Sequence, residues 1–119
     1  KLFNKWILDY TDWVIVFIGE YDAILGTQDG LPCVSGTSGQ NTWSPKWTEL
    51  LSSMDRIFVV PDKGEETAGY NIASKFLGKA KLCSFKVHKD YTEYRKSRLP
   101  RWFGQDILGV EYNVQTFIS

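Results

Sequence analysis

The chain is poor in the residues from which soft-metal and redox sites are built. It has one histidine, His88, and two cysteines, Cys33 and Cys83, fifty residues apart and without a CxxC pair. Zinc-ligand spacing is absent, and the thiols, set in the apolar stretches LPCVSG and KLCSFKV, read as buried and free, as suits a reducing cytoplasm. An excess of one charge is also missing: 14 basic residues balance 14 acidic ones. No global field therefore favours nucleic acid or an acidic partner, and any such recognition has to be local. No apolar run approaches the roughly 18 residues of a membrane helix, and no signal-peptide core opens the chain. Phosphate-cradling GK[ST] and strand-following GxGxxG motifs are absent as well. What remains, 119 residues of which 43% are hydrophobic, suits one domain with a single core. Because the chain begins with Lys1, it reads as a piece of a longer protein.

The apolar residues are organised as strands alternating with helices. Residues 13–18 (WVIVFI) and 56–60 (RIFVV) are apolar without alternation, as central strands buried on both faces should be. Residues 31–34 follow Gly30, which can end a helix beginning near Asp22. Residues 81–88 (KLCSFKVH) alternate, which predicts a strand with Cys83, Phe85 and Val87 on one face. Ser44 and Pro45 open a helix in which Trp47, Leu50, Leu51 and Met54 share a face. A second apolar stripe runs from Glu66 through Gly69, Ile72, Ala73, Phe76 and Leu77, with Gly78 as its C-cap. A short helix around 103–108 and a last strand near 110–114 extend a core spanning about 13–97. The pattern predicts an α/β domain with a mostly parallel sheet of about four strands flanked by helices.

In such sheets the C-terminal strand ends share one rim, where ligands bind. Acids stand at those exits: Glu20 and Asp22 after the first strand, Asp62 after the third, and Asp90 after the fourth. With strands about 4.8 Å apart, their carboxylates can meet, and clustered carboxylates repel unless a cation neutralises them. Oxygen ligands without His or Cys select a hard dication, Mg²⁺ or Mn²⁺, which usually completes its shell with water and phosphate oxygens. Each acid alone has another reading: Asp22 as a helix N-cap, Asp62 as the start of a turn through Gly64, Glu65 and Glu66 as first-turn decoration. His88 either assists proton transfer beside Lys89 and Asp90 or faces solvent. Lys86, Lys89, Arg95, Lys96, Arg98 and Arg101, interleaved with Tyr91, Tyr94 and Trp102, are either a phosphate-contacting and base-stacking patch or a solvated face. The loop 35–43 (SGTSGQNTW) is either an anion cradle or a connection. A phospho-acceptor domain with Asp62 as acceptor is a further arrangement of such acids.

Taken in order, IVFIGEYDAI, LPCVSGTSGQNTW, RIFVVPDKGEETAGYNIA and KVHKDYTEYRKS resemble the segments of TOPRIM domains, closest to those of phage and bacterial primases and primase-helicases. The likeness covers about residues 13–96. It implies a small Rossmann-like fold whose acids bind Mg²⁺ (or Mn²⁺) for nucleotidyl or phosphoryl transfer. Asp22 falls on the aspartate of EGxxDA, Asp62 on the first acid of DxD, and Asp90 on the acid of the KD segment. With the resemblance, the expected roles are Asp62, Glu66 and Asp90 as metal ligands, Asp22 as catalytic with Glu20 as the substitute for a family acid that this chain lacks, and Lys89, Arg95 and Lys96 as phosphate contacts. DNA or RNA and nucleoside triphosphates are the implied partners, with a replicative helicase beside them, in the cytoplasm of a bacterial host. The chain departs from the pattern at two places: the Glu that precedes the family's glycine falls on Ile18, and two extra residues between Asp62 and Gly69 put the second DxD acid on Gly64 counted from Asp62 or on Glu66 counted back from Gly69. Either Glu20 replaces the missing Glu, or the domain binds nucleic acid or a partner without catalysis.

Overall fold

The computed structural model describes residues 2–36 and 43–109. In chain order these form β1 (Leu2–Phe3), a 3-10 turn (Lys5–Asp9), β2 (Trp13–Phe17), α1 (Glu20–Gln28), β3 (Cys33–Gly36), α2 (Pro45–Leu51), β4 (Arg56–Val60), α3 (Glu66–Ala73), β5 (Ala80–Leu82) and α4 (Tyr91–Ser97). A 3-10 turn (Pro100–Trp102) and a π-helical turn (Gly104–Leu108) follow. The strands make one sheet in the order β1-β3-β2-β4-β5. β3, β2, β4 and β5 run parallel to their neighbours, whereas β1 lies antiparallel on β3, so the sheet is mixed and has five strands. The fifth strand was not expected from the sequence, since two residues are too few to display a period of two.

β2 is apolar at every position because both its faces are covered. Trp13, Ile15 and Phe17 join Phe58, Val60, Tyr91, Tyr94 and Phe103 in one cluster. Val14, Val16 and Ile18 join Trp47, Leu51, Ile57, Val59, Ile72 and Phe76 in the other. Alternation along a strand sends successive side chains to opposite faces. α1 and α4 therefore cover one face of the sheet, and α2 and α3 the other. The chain is thus an α/β domain with a helical layer on each side. Among the described residues, no helix is long and apolar enough to cross a membrane.

Four sequence expectations need correction. The strand over residues 81–88 is confined to Ala80–Leu82, and Val87 is 78% exposed. Its neighbour β4 runs into Pro61, which has no N–H to continue the ladder. Leu77 leaves the apolar stripe and is 96% exposed. The helix tightens to a 3-10 turn over Ser74–Phe76, which shifts the angular phase, and Leu77 and Gly78 close it at positive φ. Leu50 is exposed because α2 is under two turns long and only Trp47 and Leu51 of it reach the core. Asp22 lies inside the first turn of α1, where Gly19 holds the N-cap position. Ser44 caps α2 as expected, its side chain accepting from Lys46 N–H. The expected strand near 110–114 lies outside the described residues.

α3 reaches the sheet closely because Gly69 has no side chain. A Cβ there would stand 2.8 Å from Pro61 Cγ and 2.9 Å from Leu82 Cδ1. The leucine can yield, but the proline ring cannot. Gly69→Ala is expected to destabilise the fold by about 1–3 kcal/mol, read as a lower urea midpoint; an unchanged midpoint would show that α3 has room to move.

Candidate metal centre

Phe17 and Val60, the last residues of β2 and β4, are register partners, so both chains leave the sheet at the same level. From that point they diverge. β2 leads into α1 on one face, and β4 leads toward α3 on the other. Loops departing to opposite faces from adjacent parallel strands leave a crevice between them, the place where open α/β sheets bind ligands. Asp22 comes into this crevice from the first turn of α1, and Asp62 comes directly after Pro61.

Asp90 arrives by another route. It stands well past the end of β5, as the N-cap of α4, where its Oδ1 accepts from Glu93 N–H at 2.9 Å. The sequence expectation placed it at a strand exit; the helix start carries it to the same rim. A backbone bond from Lys63 N–H to Lys89 O, 2.7 Å, joins the residue after Asp62 to the residue before Asp90. As a result one carboxylate oxygen from each of Asp22, Asp62 and Asp90 lies within 4.8 Å of the others. Together these three side chains can hold a metal ion.

The local bonds orient the cluster. Asp22 is 4% exposed, and its Oδ1 accepts from both Thr92 N–H (3.2 Å) and Thr92 Oγ1 (2.7 Å). Oδ1 of Asp22 and Oδ1 of Asp90 are thus both held by the first turn of α4. Burial, a hydrogen bond with Asp22, and the charges of Asp22, Asp90 and Glu65 push the Asp62 carboxyl up to about 7. Burial and the neighbouring acids thus both disfavour the charged form of Asp62, which a cation at the cluster would favour. The donor set is all oxygen, which suits a hard cation.

The other sequence-singled residues lie elsewhere. Glu20 is exposed in the first turn of α1. Glu66 turns back on its own loop, its two carboxylate oxygens accepting from Gly64 N–H at 3.0 and 3.1 Å. That backbone bond, first among the causes, holds its carboxyl below the usual range. Arg95 is engaged by Asp29 in a two-point ion pair, with Nε to Oδ2 and Nη2 to Oδ1 both 2.8 Å. Lys89 and Lys96 are exposed. His88 is half-buried, with Nε2 at 2.8 Å from Ser97 Oγ and its ring edge-on to Tyr94. Both cysteines are free and buried, and burial pushes Cys33 up to about 12 and Cys83 to about 11. These are unreactive thiols. Thr92 was missed by sequence reasoning. The run Asp90-Tyr91-Thr92-Glu93 does carry a signal, a capping sequence with an acid three residues after the cap, which places the Thr92 N–H at an open helix end.

The sign of the pH effect follows from the raised Asp62 carboxyl. The unfolded chain loses this proton near its ordinary value of 3.8, and the folded chain only near 7. Without a cation the fold therefore loses stability as pH rises through that window, by about 1–2 kcal/mol once solvent screening of this partly exposed group is allowed for. In EDTA, Asp62→Asn should melt above the parent at pH 8 and converge with it near pH 4. A lower melting point for Asp62→Asn at pH 8 would contradict the crowding.

Comparison with protein-family models, with curated proteins and with solved structures gives no match to this chain.

Proposed function

We propose that this is a TOPRIM-type domain of the phage primase class, which binds Mg²⁺ (or Mn²⁺) and takes part in nucleotidyl or phosphoryl transfer on DNA or RNA. The observation that carries the proposal is the meeting of Asp22, Asp62 and Asp90. They are the same three positions on which the EGxxDA, DxD and KD acids of the resemblance fall. The mixed sheet with a helical layer on each face is compatible with a Rossmann-like domain. The metal set proposed is accordingly Asp22, Asp62 and Asp90, with Glu66 one loop away on Gly64.

A bound dication would neutralise the three acids and draw phosphate oxygens to the rim. The chain's own groups supply the rest. Lys89, exposed next to Asp90, and Lys96, exposed near the end of α4, are the proposed phosphate contacts. Arg95 is held by Asp29, which balances its charge, so it is not among the proposed phosphate contacts. Glu20 is the carboxylate available for proton transfer, two residues before Asp22. Nucleoside triphosphates and a replicative helicase are partners consistent with this class.

One observation favours a second reading. Ile18, at the position of the family's acid, is 8% exposed and packs with Val14, Val16 and Trp47. Among the described residues no carboxylate joins that cluster, which favours a domain that binds metal and nucleic acid without chemistry.

Calorimetric titration with Mn²⁺ decides the metal claim. The parent should bind at millimolar metal or better, and Asp62→Asn should lose at least tenfold in affinity. No heat from the parent, or equal binding by Asp62→Asn, would end it. Assays of strand cleavage and primer synthesis then separate the two readings. If the domain is catalytic, Glu20→Gln should slow turnover by about 10²-fold. If it is a binding module, the parent should be inactive and Ile18→Glu should gain activity.

A further inference from the structure

Asp90 and Thr92 stand at the start of α4, which no strand leads into: β5 ends at Leu82, and no strand or helix intervenes before Tyr91. The turn meets β2 through the Tyr91 ring on Phe17 and the β4 exit through the Lys63–Lys89 backbone bond. α1 adds side-chain attachments at both of its ends. At the C-terminal end of α1, Asp29 is only 11% exposed at its side chain and accepts Arg95 through both oxygens. Its Oδ2 also accepts from the Tyr91 hydroxyl at 2.7 Å. At the N-terminal end of the same helix, Asp22 accepts the Thr92 N–H and hydroxyl. α4 is therefore tied to both ends of α1, and its two polar attachments bracket a shared apolar contact in which Tyr91 and Tyr94 are fully buried.

This arrangement has a chemical consequence. Asp22 and Asp62 belong to the strand-exit half of the cluster, and Asp90 is delivered by α4. Thr92 also holds one oxygen of Asp22, so α4 supplies one acid and orients another. Resting on the metal centre proposed above, we infer that Thr92 and the Asp29–Tyr91–Arg95 clamp are positioning residues, and that docking of α4 on α1 and loading of the cation are one coupled equilibrium. Loss of the Thr92 hydroxyl frees the Asp22 carboxylate to rotate, although the Thr92 N–H remains. Loss of the clamp lets Asp90 drift from Asp22 and Asp62. Coupling is reciprocal, so the cation must tighten α4 by the same factor by which docked α4 tightens the cation.

The test measures Mn²⁺ affinity from the electron paramagnetic resonance signal of free Mn²⁺, and hydrogen exchange of the α4 amides with and without metal. It uses the parent, Thr92→Val, Thr92→Ser and Asp29→Asn. In the parent, Mn²⁺ should slow exchange throughout 91–97. Thr92→Val should bind about tenfold more weakly, with circular dichroism and urea midpoint close to the parent, and Thr92→Ser should recover most of the loss. Asp29→Asn should speed α4 exchange in the absence of metal, with saturating Mn²⁺ restoring protection. Parent-like affinity in both Thr92→Val and Asp29→Asn, or α4 exchange indifferent to Mn²⁺ in the parent, would overturn the coupling while leaving the metal centre intact. Absence of Mn²⁺ uptake by the parent would instead remove the metal centre, and this inference with it.

Discussion

Like charges brought together at the mouth of a low-dielectric crevice repel one another, and in this domain three carboxylates are brought together by the fold itself. Burial first, and then the neighbouring acids, push the Asp62 carboxyl up to about 7. The hydrogen bonds from Thr92 N–H and hydroxyl to Asp22 and from Glu93 N–H to Asp90 orient these acids and ease part of their charge. The rest of the structure maintains this crowding. The parallel register of β2 on β4 sets two of the acids at one height, the Lys63–Lys89 backbone bond brings in the third, and α4 locks onto α1.

The two faces of the sheet contribute differently. The face under α2 and α3 is aliphatic and tryptophan-lined, and Gly69 lets α3 settle against Pro61, immediately before Asp62. The face under α1 and α4 is aromatic: Phe17, Tyr91, Tyr94 and Phe103 stand with ring centroids 5.1 to 6.2 Å apart. Such offset and edge-on contacts add geometric preference to simple burial. They define the surface on which α4 docks, so packing on that face and charge at the rim are connected through the same short helix.

Much of this was legible in the sequence where local chemistry is strong. Residues 13–17 and 57–60 are apolar at consecutive positions, as suits strands covered on both faces. Ser44-Pro45 announced α2, and Asp62, directly behind a strand and a proline, had to leave at the rim. What depends on distant partners was not legible. Asp90 reaches the cluster through a helix cap instead of a strand end, because the ladder fails at Pro61. The pairing of Asp29 with Arg95 spans 66 residues, and no local pattern announces it; read locally, Arg95 belonged to a basic run that was either a phosphate-contacting patch or a solvated face. Leu77 matched the helical period, but the 3-10 turn that ends α3 moved it into solvent.

The most direct measurement of the central claim is the anomalous diffraction of crystals grown with Mn²⁺. The account predicts one strong peak in the crevice, about 2.1 Å from an oxygen of each of Asp22, Asp62 and Asp90. A peak bound elsewhere, or three carboxylates parted by solvent with no ion among them, would contradict it.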